Sequence, residues 1–119
     1  MVLQARKINI LGTDWTIRYG TEETFPGLKG NDGYTDSSVH DIIIDDMSYS
    51  EGDTSRKKDI DTYIKQVLRH EIIHAFLAES GLDGNGTAVD HWEHNEEMVD
   101  WFAIQSPKIY KIFAELDLL

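Results

Sequence analysis

The sequence predicts an α+β domain, and three observations predict it. β-prone runs fill the first half of the chain, and apolar residues at helical spacing fill the second. The length of 119 residues suffices for one hydrophobic core and not for two. A single domain spanning 1–119 is expected, with a small N-terminal sheet of about three strands followed by three helices.

Each element has its own signal. Lys7-Ile8-Asn9-Ile10-Leu11 alternates loosely, and Gly12-Thr13-Asp14 turns it into Trp15-Thr16-Ile17-Arg18-Tyr19, which predicts a hairpin. Residues 20–38 are rich in Gly, Asp, Thr and Ser and contain Pro26, so they read as a long loop with room for a short strand near Tyr34. Asp41-Ile42-Ile43-Ile44-Asp45 is the third clear strand. Its consecutive isoleucines imply burial on both faces or a place beside the core. From about Asp59 to Ser80, apolar residues at Ile60, Ile64, Val67, Leu68, Ile72, Ala75 and Ala78 follow a helical spacing, and Gly81 stands where a left-handed residue ends a helix. Asp90 and Glu93 resemble a capping box that opens a second helix running to about Gln105. Ser106-Pro107 supplies an N-cap and a proline at the first helical position, predicting a separate C-terminal helix. Trp92, Trp101, Phe102, Ile109, Ile112, Phe113 and Leu116 are then expected to pack between those last two helices.

Composition narrows the chemistry. Lys and Arg total 11 against 22 Asp and Glu, for a formal charge of -11. A nucleic-acid groove is not expected, because phosphate binding needs a basic patch and the longest basic run is Arg56-Lys57-Lys58. There is no cysteine, so a metal would have to be held by imidazole and carboxylate groups. No stretch approaches a membrane span, and Met1 to Gly12 has no apolar core of a secretory signal. A cytoplasmic protein, in a bacterial or phage-infected host cell, is the expectation.

The informative motif is His70-Glu71-Ile72-Ile73-His74 inside the first long helix. Positions i and i+4 lie one above the other, so His70 and His74 can point both imidazoles at one ion. Glu71 is turned about a hundred degrees away around the axis, which suits a general base more than a ligand. Catalytic zinc takes three protein ligands and keeps a fourth position for water. A third histidine on the pattern HExxHxxGxxH would require Gly and His at 77 and 80, where the chain has Leu77 and Ser80. Asn95-Glu96-Glu97-Met98-Val99-Asp100 lies on the next helix, and a carboxylate there could face the histidines. Glu96 and Asp100 are again i and i+4, with Val99 and Ala103 on the same stripe. Glu96 could instead be a solvent-facing member of the acidic run with Glu93 and Glu97, and Glu97 is its main competitor as ligand.

HExxH followed some twenty residues later by N-E-x-x-x-D resembles the thermolysin-like gluzincins and the ImmA/IrrE-type metallopeptidases. In the latter the third-ligand helix reads E-x-x-A-N-x-F-A; Glu96, Phe102 and Ala103 match, while Val99 and Asp100 depart from it. Asp100 agrees with the thermolysin pattern. Small phage and prophage metallopeptidases look similar in size and order of elements. The motif-level likeness covers roughly residues 67–103. The resemblance implies a zincin-like fold, one zinc ion per chain on His70, His74 and Glu96, and Asp100 as acceptor from His70. It also gives the Ile42-Ile43-Ile44 strand the role of an edge that binds substrate by strand addition.

The expected activity is zinc-dependent hydrolysis of a peptide or protein substrate, with metal-activated water and Glu71 as general base. The alternative is a non-catalytic zinc-binding phage accessory or interaction protein. His91, His94, Tyr63 and Tyr110 are weighed as oxyanion donors, and none is singled out. Neither substrate identity nor oligomeric state is legible.

Overall fold

The computed structural model describes residues 2–48, 51–82 and 95–119. The elements run β1 (Arg6–Ile10), β2 (Thr13–Gly20), a 3-10 turn (Pro26–Leu28), β3 (Gly33–Asp36), β4 (Asp41–Asp45), α1 (Ile60–Glu79) and α2 (Glu96–Glu115). The α+β class holds, with four strands and two helices among the described residues. No described helix is long and apolar enough to cross a membrane.

β1 and β2 form the expected hairpin, Ile10 opposite Thr13. The two residues between them, Leu11 and Gly12, have φ of 51° and 95°. Positive φ at both central positions is what a two-residue turn needs to follow the right-handed twist of its strands. The sheet order is β1-β2-β4-β3, with β2 and β4 parallel and the other pairs antiparallel.

That order corrects the role expected for Ile42, Ile43 and Ile44. β4 is hydrogen-bonded on both sides, so it is an interior strand with no free edge. The three isoleucines are 0%, 2% and 0% exposed, the both-face burial that a consecutive apolar run signals. The edge belongs to β3, within the stretch read mainly as loop. Four residues, none of them large and aliphatic, give β3 almost no hydrophobic signature.

α1 begins where its cap predicts. The Asp59 side chain accepts a hydrogen bond from the Thr62 amide, and Gly81, with φ of 83°, follows the last turn. Ile64, Val67 and Ala75 enter a core with Ile10, Trp15, Ile17, Ile42, Ile44 and Met47. Its last turn is tied to β2, because the Trp15 indole N–H donates to Glu79 Oε1 at 2.8 Å and the Thr13 hydroxyl to Glu79 Oε2 at 3.0 Å. Gly33 lets helix and edge strand approach. A Cβ there would stand 3.1 Å from Val67 Cγ1 and 3.2 Å from Glu71 Cγ.

α2 corrects two further expectations. It is one helix through Pro107, where a helix break was expected. Proline removes the N–H that would bond to the carbonyl four residues earlier, which is that of Ala103. Arg69 on α1 replaces it, its Nε donating to Ala103 O at 2.6 Å. The Asp90–Glu93 capping box lies outside the described residues; the observed cap is Asn95, whose side chain accepts from the Met98 amide. The expected packing of Trp101, Phe102, Ile112, Phe113 and Leu116 does not occur, since all five are exposed. With one helix in place of two, the described residues offer no separate C-terminal helix for them to meet. Trp92 lies outside the described residues.

Candidate metal centre

The site forms where α1 and the first turns of α2 run side by side. Val99 and Ala103, both fully buried, seat α2 on α1, and the same stripe carries Glu96 and Asp100 toward the histidines. Glu96 and Glu97 also sit in the first turn of α2, where the helix dipole favours a negative charge.

His70 Nε2 stands 2.9 Å from Glu96 Oε2, His74 Nε2 stands 3.0 Å from Glu96 Oε1, and the two Nε2 atoms are 3.1 Å apart. Two imidazole nitrogens and one carboxylate group thus form a triangle of three groups, each nitrogen facing a different oxygen of Glu96. Atoms bound tetrahedrally at about 2.0–2.1 Å from one ion lie about 3.3 Å from each other, and the nearest approaches of these three groups are a few tenths of an ångström shorter. His70, His74 and Glu96 could hold a metal ion.

The donor chemistry agrees with the distances. His70 Nδ1 donates to Asp100 Oδ1 at 2.7 Å, which leaves the Nε2 lone pair directed into the triangle. A carboxylate and two imidazole nitrogens converging there call for a positive charge between them, either protons or a cation. Glu97, the competitor to Glu96, is not part of this group. It is exposed and shares a different surface hollow with Trp101 and Ile104.

Glu71 lies next to the triangle and does not join it. One carboxylate oxygen is 3.9 Å from His70 Nε2, and the side chain is buried. Burial raises its pKa above the ordinary carboxylate value; the hydrogen bond from Thr35 and the charges of His70 and His74 pull it down, and Glu96 pushes it up. The Thr35 hydroxyl reaches Glu71 Oε1 at 2.9 Å and the Glu71 carbonyl at 3.0 Å. A carboxylate whose proton affinity is raised by burial and whose orientation is fixed can take a proton from water and return it. Sequence reasoning missed Thr35, and nothing in a Gly-Tyr-Thr-Asp stretch announces a helix packed above it.

Two hollows open on the triangle. One, about 330 Å³, is bounded by Tyr63, Gln66, His70, Glu71, Glu96 and Asp100. The other, about 260 Å³, lies toward β3 and includes Tyr34, Thr35 and His74. Tyr63 therefore faces the site, its hydroxyl donating to Asp32. Tyr110 is exposed and borders neither hollow. His91 and His94 lie outside the described residues. Ile42, Ile43 and Ile44 line neither hollow.

Comparison of the chain with protein-family profiles, with curated proteins and with solved structures found no match.

Proposed function

We propose that the chain is a zinc-dependent peptidase of zincin-like design, its metal held by His70, His74 and Glu96. The observation that carries this reading is the 2.9–3.1 Å triangle of two Nε2 atoms and one carboxylate, with a buried carboxylate beside it that is not a ligand. Two imidazoles and one carboxylate suit zinc among the common divalent ions. Zinc bound with an open position supplies a Lewis acid for a scissile carbonyl and acidifies water.

The chain's own residues divide the remaining work. Glu71 accepts the proton of the attacking water and passes it to the leaving amine. Thr35 holds Glu71 in the orientation that this transfer needs. Asp100 keeps His70 in the tautomer whose Nε2 is free to bind. β3 pairs only with β4 among the described residues, so its other edge offers backbone groups to an extended peptide beside Glu71.

A second reading has an observation of its own. α2 buries only Val99 and Ala103, so a metal shared between the helices could serve to clamp them without hydrolysis. One experiment separates the two. Elemental analysis of untagged protein is expected to find one zinc per chain, lost in Glu96→Ala. Glu71→Gln is expected to keep the zinc and the melting temperature while cleavage of a peptide library falls by roughly 10²–10⁴-fold. Zinc-loaded wild type that cleaves nothing would leave the clamp, and protein that takes up no metal would remove both readings.

A further inference from the structure

The C-terminal half of α2 presents a face that no contact among the described residues accounts for. From Tyr110 to Leu119 every residue is exposed, although Ile112, Phe113 and Leu116 are among them. The last turns of a helix with large side chains in water are not stable on local propensity alone. The apolar positions are also ordered. Met98, Phe102, Ile109, Ile112 and Leu116, with Gln105 between, recur at alternating steps of four and three residues. That is the seam of a two-stranded coiled coil, and a helix packing on its own domain needs only a broader stripe.

We infer that this face is a self-association surface, covered by the same helix of a second copy running antiparallel. The charges select the partner and its direction. When two copies cross with Ile109 opposite Ile112 of the partner subunit, Gln105 meets Leu116 of the partner subunit. In that register Lys108 flanks Glu115 of the partner subunit, and the contact repeats by symmetry. In a parallel pair these two positions are a full heptad apart and cannot meet. Within one helix they are also seven residues apart, outside the three- and four-residue spacings of neighbours.

The size of the face sets the strength. Phe102, Ile112, Phe113, Leu116 and Leu118 are 41–64% exposed and together offer on the order of 500 Å² per copy, below the ~800 Å² per partner of a standard stable interface. A contact of that size suits a reversible monomer–dimer equilibrium more than a permanent dimer. The seam is continuous with an apolar groove of about 390 Å³ between the helices, lined by Ile72, Ile73, Phe76, Leu77, Met98 and Phe102.

This surface does not depend on the metal, so its test is separate from that of the peptidase. Sedimentation equilibrium of the whole chain across about 1–200 µM is expected to show a shift from 13.6 kDa toward twice that mass. Ile112→Glu is expected to hold the chain monomeric with unchanged helix content and zinc stoichiometry, because the site it alters is exposed. Lys108→Glu and Glu115→Lys are each expected to raise the dissociation constant about tenfold or more, and the double variant to restore it. Three results would overturn the inference: a monomer at every concentration, a dimer indifferent to Ile112→Glu, or singles that weaken the dimer with no recovery in the double variant.

Discussion

α1 and α2 are both 20 residues long and lie against each other, yet they are held in different ways. α1 has the sheet on one side and α2 on another. It buries Ile64, Val67, Glu71, His74 and Ala75, and its ends are tied by Asp59 and Glu79. Among the described residues α2 packs against α1 and buries two small side chains. The candidate metal centre joins the two, with both histidines and the base on the well-anchored helix and both exposed carboxylates on the lightly anchored one. In a site so divided, the positions of Glu71 and both imidazoles follow α1, while that of Glu96 depends on how α2 is seated.

The sharpest test of that contrast is truncation on each helix. Ile64→Ala on α1 is expected to cost about 2–5 kcal/mol in chemical denaturation, as a fully buried aliphatic does. Tyr110→Ala on α2, turned away from the seam, is expected to stay within about 0.5 kcal/mol. Equal costs would mean that α2 is as firmly held as α1.

The next effect is at the crossing. Arg69→Met leaves the Ala103 carbonyl without its donor and is expected to cost about 1–3 kcal/mol. In a Pro107→Ala background, where the backbone N–H is restored, the same substitution is expected to cost less. A double-mutant cycle that found the two changes additive would refute the account of how α2 continues past its proline.

Asp100→Ala tests whether the lightly held helix governs the metal. It is expected to weaken zinc affinity about 10–100-fold in a chelator competition while thermal unfolding of the metal-free protein barely changes. An unchanged affinity would mean that His70 needs no acceptor on α2.

The two N-caps give the smallest contrast. Asn95→Ala is expected to lose about 1 kcal/mol, visible chiefly as weaker metal binding, because Glu96 is the next residue. Asp59→Ala is expected to lower the melting temperature of metal-free protein at pH 7. Hydrogen bonds from the Thr62 hydroxyl and amide hold the Asp59 pKa below its usual value. A lowered folded-state pKa contributes stability above the unfolded value, near 4, that is lost as pH falls through the folded one. The gap between wild type and Asp59→Ala should therefore close on acidification below about pH 4. A gap independent of pH would place the effect elsewhere.

The elements that could be read in the chain were those whose information is local. The hairpin, the bounds of α1, the histidine pair and the Glu96–Asp100 stripe each need only periodicity, a cap or a turn residue. β3 could be glimpsed only near Tyr34, because strand pairing with β4 defines it and its own composition is that of a loop. Pro107 was misleading for the opposite reason. Its local meaning is a helix start, and a side chain from another helix overrides it.

By itself, then, the order of residues determined the α+β class, the first long helix and a set of side chains that could hold a metal between two helices, since these follow from short-range stereochemistry. Only the tertiary structure decided that Ile42, Ile43 and Ile44 lie inside the sheet, that β3 takes the edge, that Thr35 orients Glu71 and that Arg69 carries α2 through its proline. Each of those depends on contacts across 34 or more residues or on the order in which strands pair. No local pattern encodes which partner completes a hydrogen bond at that distance; the packing of the finished core selects it.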